Sequence, residues 1–578
     1  MDAGRPIAIW PRARHMRRGA RQGGARRRLF WLFVLLATLV ALLPTIVTKT
    51  PLRDALLAKL LTGDQFRVTL GSLSWGWFTP LSISAVEVQD AAGNKLLSVE
   101  SVRGERSLWS LAASPRQVGD IEIVRPTLYV AVRPDGSNIE DALRQVADAL
   151  AKDRKKPSDR PDDSKGTQLT VRLTDGTVFI GDASTGRRWR AHSLNLQYAV
   201  ARSSGLMELS LTGQLAYDGR ENNAHGAAAP AGRFAVTLSP AADRPEHRQL
   251  TWQCDSVSLA VAEPLLGRSI PGAELGGLIS GQGSAAWTAS AADKAGQQVD
   301  APEPLSLPRD FSTAGNLSID GLDAAAPALQ GDRIRVVRVE IPWRAAAQPA
   351  GLTPAGLAIE NLELRSDLGQ LAVRGILARE APNSDVEVRG AIDLARLAAM
   401  LRRALRIRDD TTITSGSIQL AARQRPDVGG PHLSGSIQSA NLAATSGGRT
   451  LRWDEPISAT FAVRRTESGP RVDSLQCRSE FLTINAAGTR QQFAAAAAFD
   501  LNRLAEQLGQ FIDLSGAQMA GKGTARLDWQ LEDDTRFTTS SSGELTEVRI
   551  LLGDGSVWAE PHLTLRAAAN GAIEPASR

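Results

Sequence analysis

The chain has 578 residues, 43% of them hydrophobic and 22% charged, a balance that excludes global disorder and is long enough for several domains. Only two cysteines occur, Cys254 and Cys477, which excludes a disulfide-stapled scaffold and a cysteine-based zinc module. The net charge of +5 is local: nine arginines and one aspartate precede Leu29, so the rest of the chain is slightly acidic.

The first predicted element is a membrane helix. Residues 29–48 carry no charge, and about 20 apolar residues at about 1.5 Å rise span a hydrocarbon core of about 30 Å. Its apolar surface is supplied by Leu29, Phe30, Trp31, Leu32, Phe33, Leu35, Leu36, Leu39, Val40, Leu42 and Leu43. Arg26, Arg27 and Arg28 stand directly before it. By the positive-inside rule they place the N-terminus in the cytoplasm and the bulk of the chain outside. A basic arm alone would suit nucleic acid, but one that abuts an apolar run is an orientation signal, and no nucleic-acid partner is expected. The alternatives are a cleaved signal peptide and a buried helix. A signal peptide has a shorter apolar run and a small-residue cleavage site, and PTIVTKTPLRD after Leu43 offers none. An uncleaved single-pass anchor is the better fit.

Residues 51–61 then form a short amphipathic helix, with Leu52, Leu56, Leu57 and Leu60 on one side. Beyond them the hydrophobic period changes to two. Val171 and Leu173, then Leu194 and Leu196, then Leu209 and Leu211 alternate with polar residues, the signature of strands with one apolar face. Turns are expected at 92–94, 134–136, 175–176 and 218–219, where Gly, Asn, Asp and Pro cluster. A helix is expected over Ile139–Ala151, capped by Ser137 or Asn138. Residues 152–168 read as a charged linker or loop, with further loops at 218–232 and 288–312. The organisation is therefore a basic arm (1–28), an anchor (29–48), a membrane-proximal β region with helices (49–151), the linker, and a repetitive β region (169–578).

An internal repeat supports the last assignment. Residues 393–420 and 500–527 align at a constant offset, matching Asp393 with Asp500, Leu394 with Leu501, Arg396 with Arg503, Leu397 with Leu504 and Gly416 with Gly523. The aspartate suits the N-cap of a short helix that leads into a glycine-bearing strand. A looser copy begins at Ser258. Duplication of such a unit extends one sheet.

Catalytic patterns are missing. The six histidines form no metal pair, there is no phosphate-binding Walker loop or nucleophile elbow, and Asp409-Asp410 and Asp533-Asp534 sit beside turn residues. Gly281-Gln-Gly-Ser-Ala-Ala286 matches a dinucleotide-loop pattern loosely, and a β-turn is the expected structure there. Cys254 and Cys477 are expected to be free, partly buried thiols, the alternative being a long-range disulfide between them. No cofactor and no enzymatic activity are expected. Trp75 and Trp77 share a strand face by spacing and fill either a core position or the mouth of a groove. Together with Val171, Leu173, Leu194, Leu196, Leu209 and Leu211 they are the candidate groove-lining residues.

The anchor, the stretches 66–111, 118–143 and 169–182, and the Asp-Leu-x-Arg-Leu repeat together resemble the AsmA-like superfamily, which includes TamB-type proteins. The resemblance implies an elongated, repetitive antiparallel sheet curled into an apolar groove, tethered to the inner membrane and facing the periplasm. It also implies a role in phospholipid traffic and outer-membrane assembly. Independently, one-sided strands need cover, either from a second sheet packed against the first or from something apolar held in a curl, and aromatics at 5% leave a largely aliphatic wall suited to acyl chains. About 25–30 strands at about 4.8 Å spacing would extend roughly 120–140 Å. The expected partners are the membrane, a phospholipid or other lipid and, in a second reading, an envelope protein bound at the sheet edge.

Overall fold

In the computed structural model the described residues run from Phe66 to Ala572. Outside them lie residues 1–65, 145–167, 221–231, 289–309, 349–355, 509–518 and 573–578, and short gaps at 91, 184, 202–205, 242–243, 245, 379–382, 428–429, 454–455, 467–468, 533–534 and 552–555. The expected anchor at 29–48 and the helix at 51–61 therefore lie outside the described residues. Among the described residues no helix is long and apolar enough to cross a membrane.

The strands join into a single sheet. An N-terminal block holds β1 (Phe66–Ser74), β2 (Pro80–Asp90), β3 (Lys95–Ser107), β4 (Gln117–Val124), β5 (Thr127–Arg133) and the two-residue β6 (Gly136–Ser137). Long strands follow: β7 (Gln168–Asp182), β8 (Arg187–Ala201), β9 (Leu206–Arg220), β10 (Gly232–Pro240), β11 (His247–Ser258), β12 (Glu274–Thr288), β13 (Ser312–Ala325), β14 (Arg333–Gln348), β15 (Gly356–Ser366), β16 (Gly369–Ala378) and β17 (Asp385–Asp393). The rest are β18 (Thr411–Arg425), β19 (His432–Ser446), β20 (Arg449–Trp453), β21 (Ser458–Thr466), β22 (Gly469–Arg478), β23 (Leu482–Thr489), β24 (Gln492–Asp500), β25 (Met519–Leu531), β26 (Arg536–Leu551) and β27 (Val557–Ala572).

The 27 strands fall inside the expected range, but β5, β6 and β20 lie beside other strands and do not lengthen the sheet. The serial path is about 110 Å at about 4.8 Å per step. Pairing is antiparallel except where β7 runs parallel to β4 and β5. A parallel pair needs a long crossover, and residues 134–167 supply it. The two β regions on either side of the expected linker thus belong to one sheet. The helix in that crossover is described over 138–144, and the hydroxyl of Ser137 accepts from the Glu140 N–H at 3.1 Å, as a cap should.

Two expected turns are instead strand. Asp175 adopts φ +54° inside β7 and forms a bulge, at the point where β7 changes partner from β4 to β5. The extra residue re-phases the strand so that Leu173 and Gly176 both pair with apolar-face residues of β8, Leu196 and Leu194. Asp218-Gly219 likewise continues β9. The expected turns at 92–94 and 134–136 do occur, and Gly93 has φ +85°.

Among the described residues five short α-helical segments decorate the sheet: α1 (Leu108–Ala113), α2 (138–144), α3 (Glu263–Ser269), α4 (Leu394–Met400) and α5 (Leu501–Leu508). Strands β5, β11, β17 and β24 run in one direction, so α2 to α5 all sit on the same rim. Arg268 of α3 meets Glu140 of α2 at 3.3 Å. Asp332, in the β13–β14 turn, accepts from the backbone N–H groups of Arg403 and Ala404, just past α4. Leu504 of α5 packs on the buried cluster of Ala444, Trp453 and Phe481. The rim is thus stitched along much of its length.

The repeat is visible in this rim. Asp393 and Asp500 each accept from the backbone N–H three residues on, both at 3.1 Å, and cap α4 and α5. The strand that follows carries a positive-φ glycine, Gly416 in one copy and Gly521 in the other, so the structural match differs from the aligned Gly523. The Arg503 N–H chiefly, with Lys522 assisting against burial, holds the Asp500 carboxyl below the usual carboxylate range. A depressed folded value stabilises at pH above the ordinary range, and that stabilisation is lost as pH falls through the folded value. Amide exchange at Arg503, followed from about pH 6 to about pH 2, should therefore accelerate toward acid in the wild type beyond its intrinsic trend. Asp500→Asn should abolish this extra acid dependence; the same profile in both proteins would refute the assignment.

Candidate functional site: a one-sided apolar row

Paired residues on neighbouring strands share a face, so the register lets one row be followed across the sheet. It begins Leu73, Ile83, Val102, Ile123 and Leu173, over β1 to β4 and β7. It continues through Leu196, Leu211, Val236 and Trp252 to Gly283, Gly315 and Trp343. Leu362, Val373, Val388, Ala422, Gly435 and Phe461 follow. Leu475, Ala486, Ala495, Leu527, Ser541 and Ala567 complete it. Ser541 is its only polar member. The neighbouring row, on the opposite face, runs Glu122, Arg172, Gln197, Ser210, Thr237, Thr251, Ser284, Ala314, Arg344 and Asn361, and all but Ala314 are polar.

Little covers the apolar face. Substantial strand contacts run only between hydrogen-bonded or next-neighbour strands, so no second layer of sheet packs on it among the described residues. Leu173, Leu196, Leu211 and Trp252 are half-buried, shielded by their own neighbours. A closed sandwich would bury such residues from both sides. Hollows occur on both faces of the sheet. One of about 900 Å³ lies against the polar residues Thr237, Thr251, Ser284, Arg344 and Asn361. One of about 520 Å³ lies on the apolar face, bounded by Ile484, Ala495, Ala497, Leu527 and Leu565.

Of the residues singled out from sequence, Val171 and Leu209 both pair with Tyr198, and Leu173 and Leu211 both pair with Leu196. Leu194 lies over Gly213, where an added Cβ would strike it. These six therefore share the apolar face. Trp75 and Trp77 do not lie on a strand: they belong to the β1–β2 connection, because β1 ends at Ser74. The carbonyls of Gly76 and Trp77 accept from the N–H groups of Leu108 and Trp109, at 3.1 and 3.0 Å, and tie this connection to the start of α1.

The sequence pattern missed the middle of the row. Trp252 and Trp343 stack with ring centroids 5.8 Å apart and planes 5° apart. Gly283 and Gly315 make room for them, since an added Cβ would meet each indole. The row is thus aromatic at its centre, not uniformly aliphatic as composition suggested. The same register explains Gly281–Ala286, expected as a turn: it is part of β12, where Gly283 makes room for the Trp252 ring and Gly281 lies close to the backbone of Asn316 and Leu317. The available signal was glycine alternating with small residues inside a strand-length run.

The remaining candidates form no reaction centre. Cys254 and Cys477 are free, half-buried and on separate strands, and burial pushes the Cys254 thiol up. Asp409 and Asp410 are exposed in a turn, with Asp410 paired to Arg408 at 3.2 Å. Asp533-Asp534 lies outside the described residues. Among the described residues no group of His, Cys, Asp or Glu is placed to hold a metal. No protein-family model matches the chain, and no curated protein matches it.

Proposed function

We propose that the chain is an AsmA-like protein, anchored in the inner membrane by residues 29–48 with its bulk in the periplasm. In this reading its curled sheet forms a groove that carries lipid acyl chains and supports phospholipid transport between membranes and envelope homeostasis. The observation that carries the proposal is the row from Leu73 to Ala567, polar only at Ser541 and backed from β4 to β15 by a row that is polar except at Ala314. Exposing a 16-carbon chain to water costs roughly 12–13 kcal/mol, so a continuous apolar strip lowers the barrier to movement along the sheet. No step of this function requires bond chemistry, and the protein is proposed to act without a cofactor.

Photo-crosslinking tests the proposal. A photoreactive residue at Val171 or Leu209 is expected to capture lipid, and one at Arg172 or Ser210, on the other face, is not. Equal capture on the two faces would sink the conduit reading.

A second reading has one observation in its favour. Strand β27 is paired on one side only among the described residues, by β26, and nearly all its residues are exposed. An open edge can add a strand by backbone hydrogen bonds, as a scaffold or assembly factor for outer-membrane proteins would. Crosslinks from β27 to such a protein, with no lipid adducts on the apolar face, would favour it.

A further inference from the structure

We infer that the tip formed by the β1–β2 connection and α1 is a second membrane contact, seated in the lipid headgroup and acyl boundary. The occupant is the bilayer surface. This rests on the membrane anchor of the proposed function but not on its acyl-chain path.

Three observations converge on it. First, the tip displays two of its aromatics outward. Phe78 is 83% exposed and Trp109 is 61% exposed, with ring centroids 6.4 Å apart. The backbone bonds from Leu108 and Trp109 to Gly76 and Trp77 hold the two segments together, so the pair is presented by a braced surface. Second, the charge pattern suits the interface. Across 74–80 and 107–117 the only charged residue is Arg116, while Phe78 and Trp109 bring an exposed phenyl and an exposed indole ring. Aromatic rings with a flanking cation favour the headgroup region. Third, the tip is within reach. Only 17 residues separate Thr48 from Phe66, a span of at most about 60 Å when extended.

The geometry gives this contact a consequence. The tether joins β1 at Phe66, and the tip lies at the other end of the same strand, about 30 Å away. The tether keeps Phe66 within about 60 Å of the bilayer, and seating the tip brings the other end of the edge strand to its surface. Leu73, the first member of the apolar row, is two residues from Trp75. Seating the tip therefore brings the start of the row to the lipid surface.

The test uses the full-length protein in proteoliposomes of phosphatidylethanolamine and phosphatidylglycerol. A photoreactive residue replaces Phe78, Trp109, Val337 or Leu265 in turn; the last two are 75% and 64% exposed and serve as controls away from the tip. Lipid adducts at 78 and 109 are expected to exceed those at 337 and 265 several-fold. Adducts no more frequent than at the controls would overturn the inference, even with lipid captured at Val171 and Leu209. Capture at the tip alone, with none at Val171 or Leu209, would uphold the contact and remove the conduit.

Discussion

Val373→Asp is expected to block lipid movement past the middle of the sheet while leaving the earlier half loaded. Val373 lies between Leu362 and Val388 in the apolar row. An aspartate in an acyl-chain environment costs about 2.5–3.5 kcal/mol. Tenfold corresponds to about 1.4 kcal/mol, so passage should fall by about two orders of magnitude. In a crosslinking assay with labelled phospholipid, adducts at Leu209 persist and adducts at Leu527 disappear. Gln370→Asp, on the same strand but the polar face, should change neither. Undiminished adducts at Leu527 in the Val373→Asp protein would show that lipid does not follow the row.

Glu263→Ala should have the largest effect on stability. The Glu263 carboxylate pairs with Arg187, and the two side chains are only 6% and 12% exposed. Its second oxygen accepts from the Leu275 N–H at 2.7 Å. Arg187 also reaches Glu274, which binds Arg333, which in turn binds Asp323. The network joins β8, α3, β12, β13 and β14 at the helical rim. Removing Glu263 leaves the buried Arg187 with Glu274 as its remaining carboxylate partner and takes the acceptor from the Leu275 N–H, at a cost of about 3 kcal/mol. Because contacts run between neighbours, the sheet is expected to open locally, and a whole-chain midpoint would miss the loss. Amide exchange in β12 is the appropriate measurement, and protection there should fall by more than about a hundredfold. Unchanged protection in β12 would mean that the pair contributes nothing net. Glu263→Gln keeps an acceptor for Leu275 and should lose less.

Much of the sheet is legible residue by residue. Alternation at Val171 and Leu173, Leu194 and Leu196, and Leu209 and Leu211 assigns a face to each side chain, since the strand period is two. Asp393 and Asp500 announce their helices through cap chemistry that spans three residues. Errors arose where a local signal has two structural outcomes. Asp175-Gly176 is good turn chemistry, yet positive φ at Asp175 serves equally as a bulge within β7. Trp75 and Trp77 alternate like strand residues, yet Gly76 between them accompanies the end of β1 and the docking of α1. Gly281–Ala286 resembles a loop because glycine is rare in strands, unless a ring from the next strand occupies its missing side chain.

The sequence by itself determined the character of each strand: mainly β, apolar on one side, punctuated by short capped helices and repeated along the chain. These features depend on residues within a few positions of one another. Only the tertiary structure decided which strands are neighbours and in what register, including the parallel join of β4 and β5 to β7 and the stack of Trp252 on Trp343 across two intervening strands. That is why the continuous row emerges only in three dimensions. Local periodicity orients a side chain, but the alignment of Leu73 with Ile83, and of each member with the next as far as Ala567, depends on backbone hydrogen bonds between distant segments.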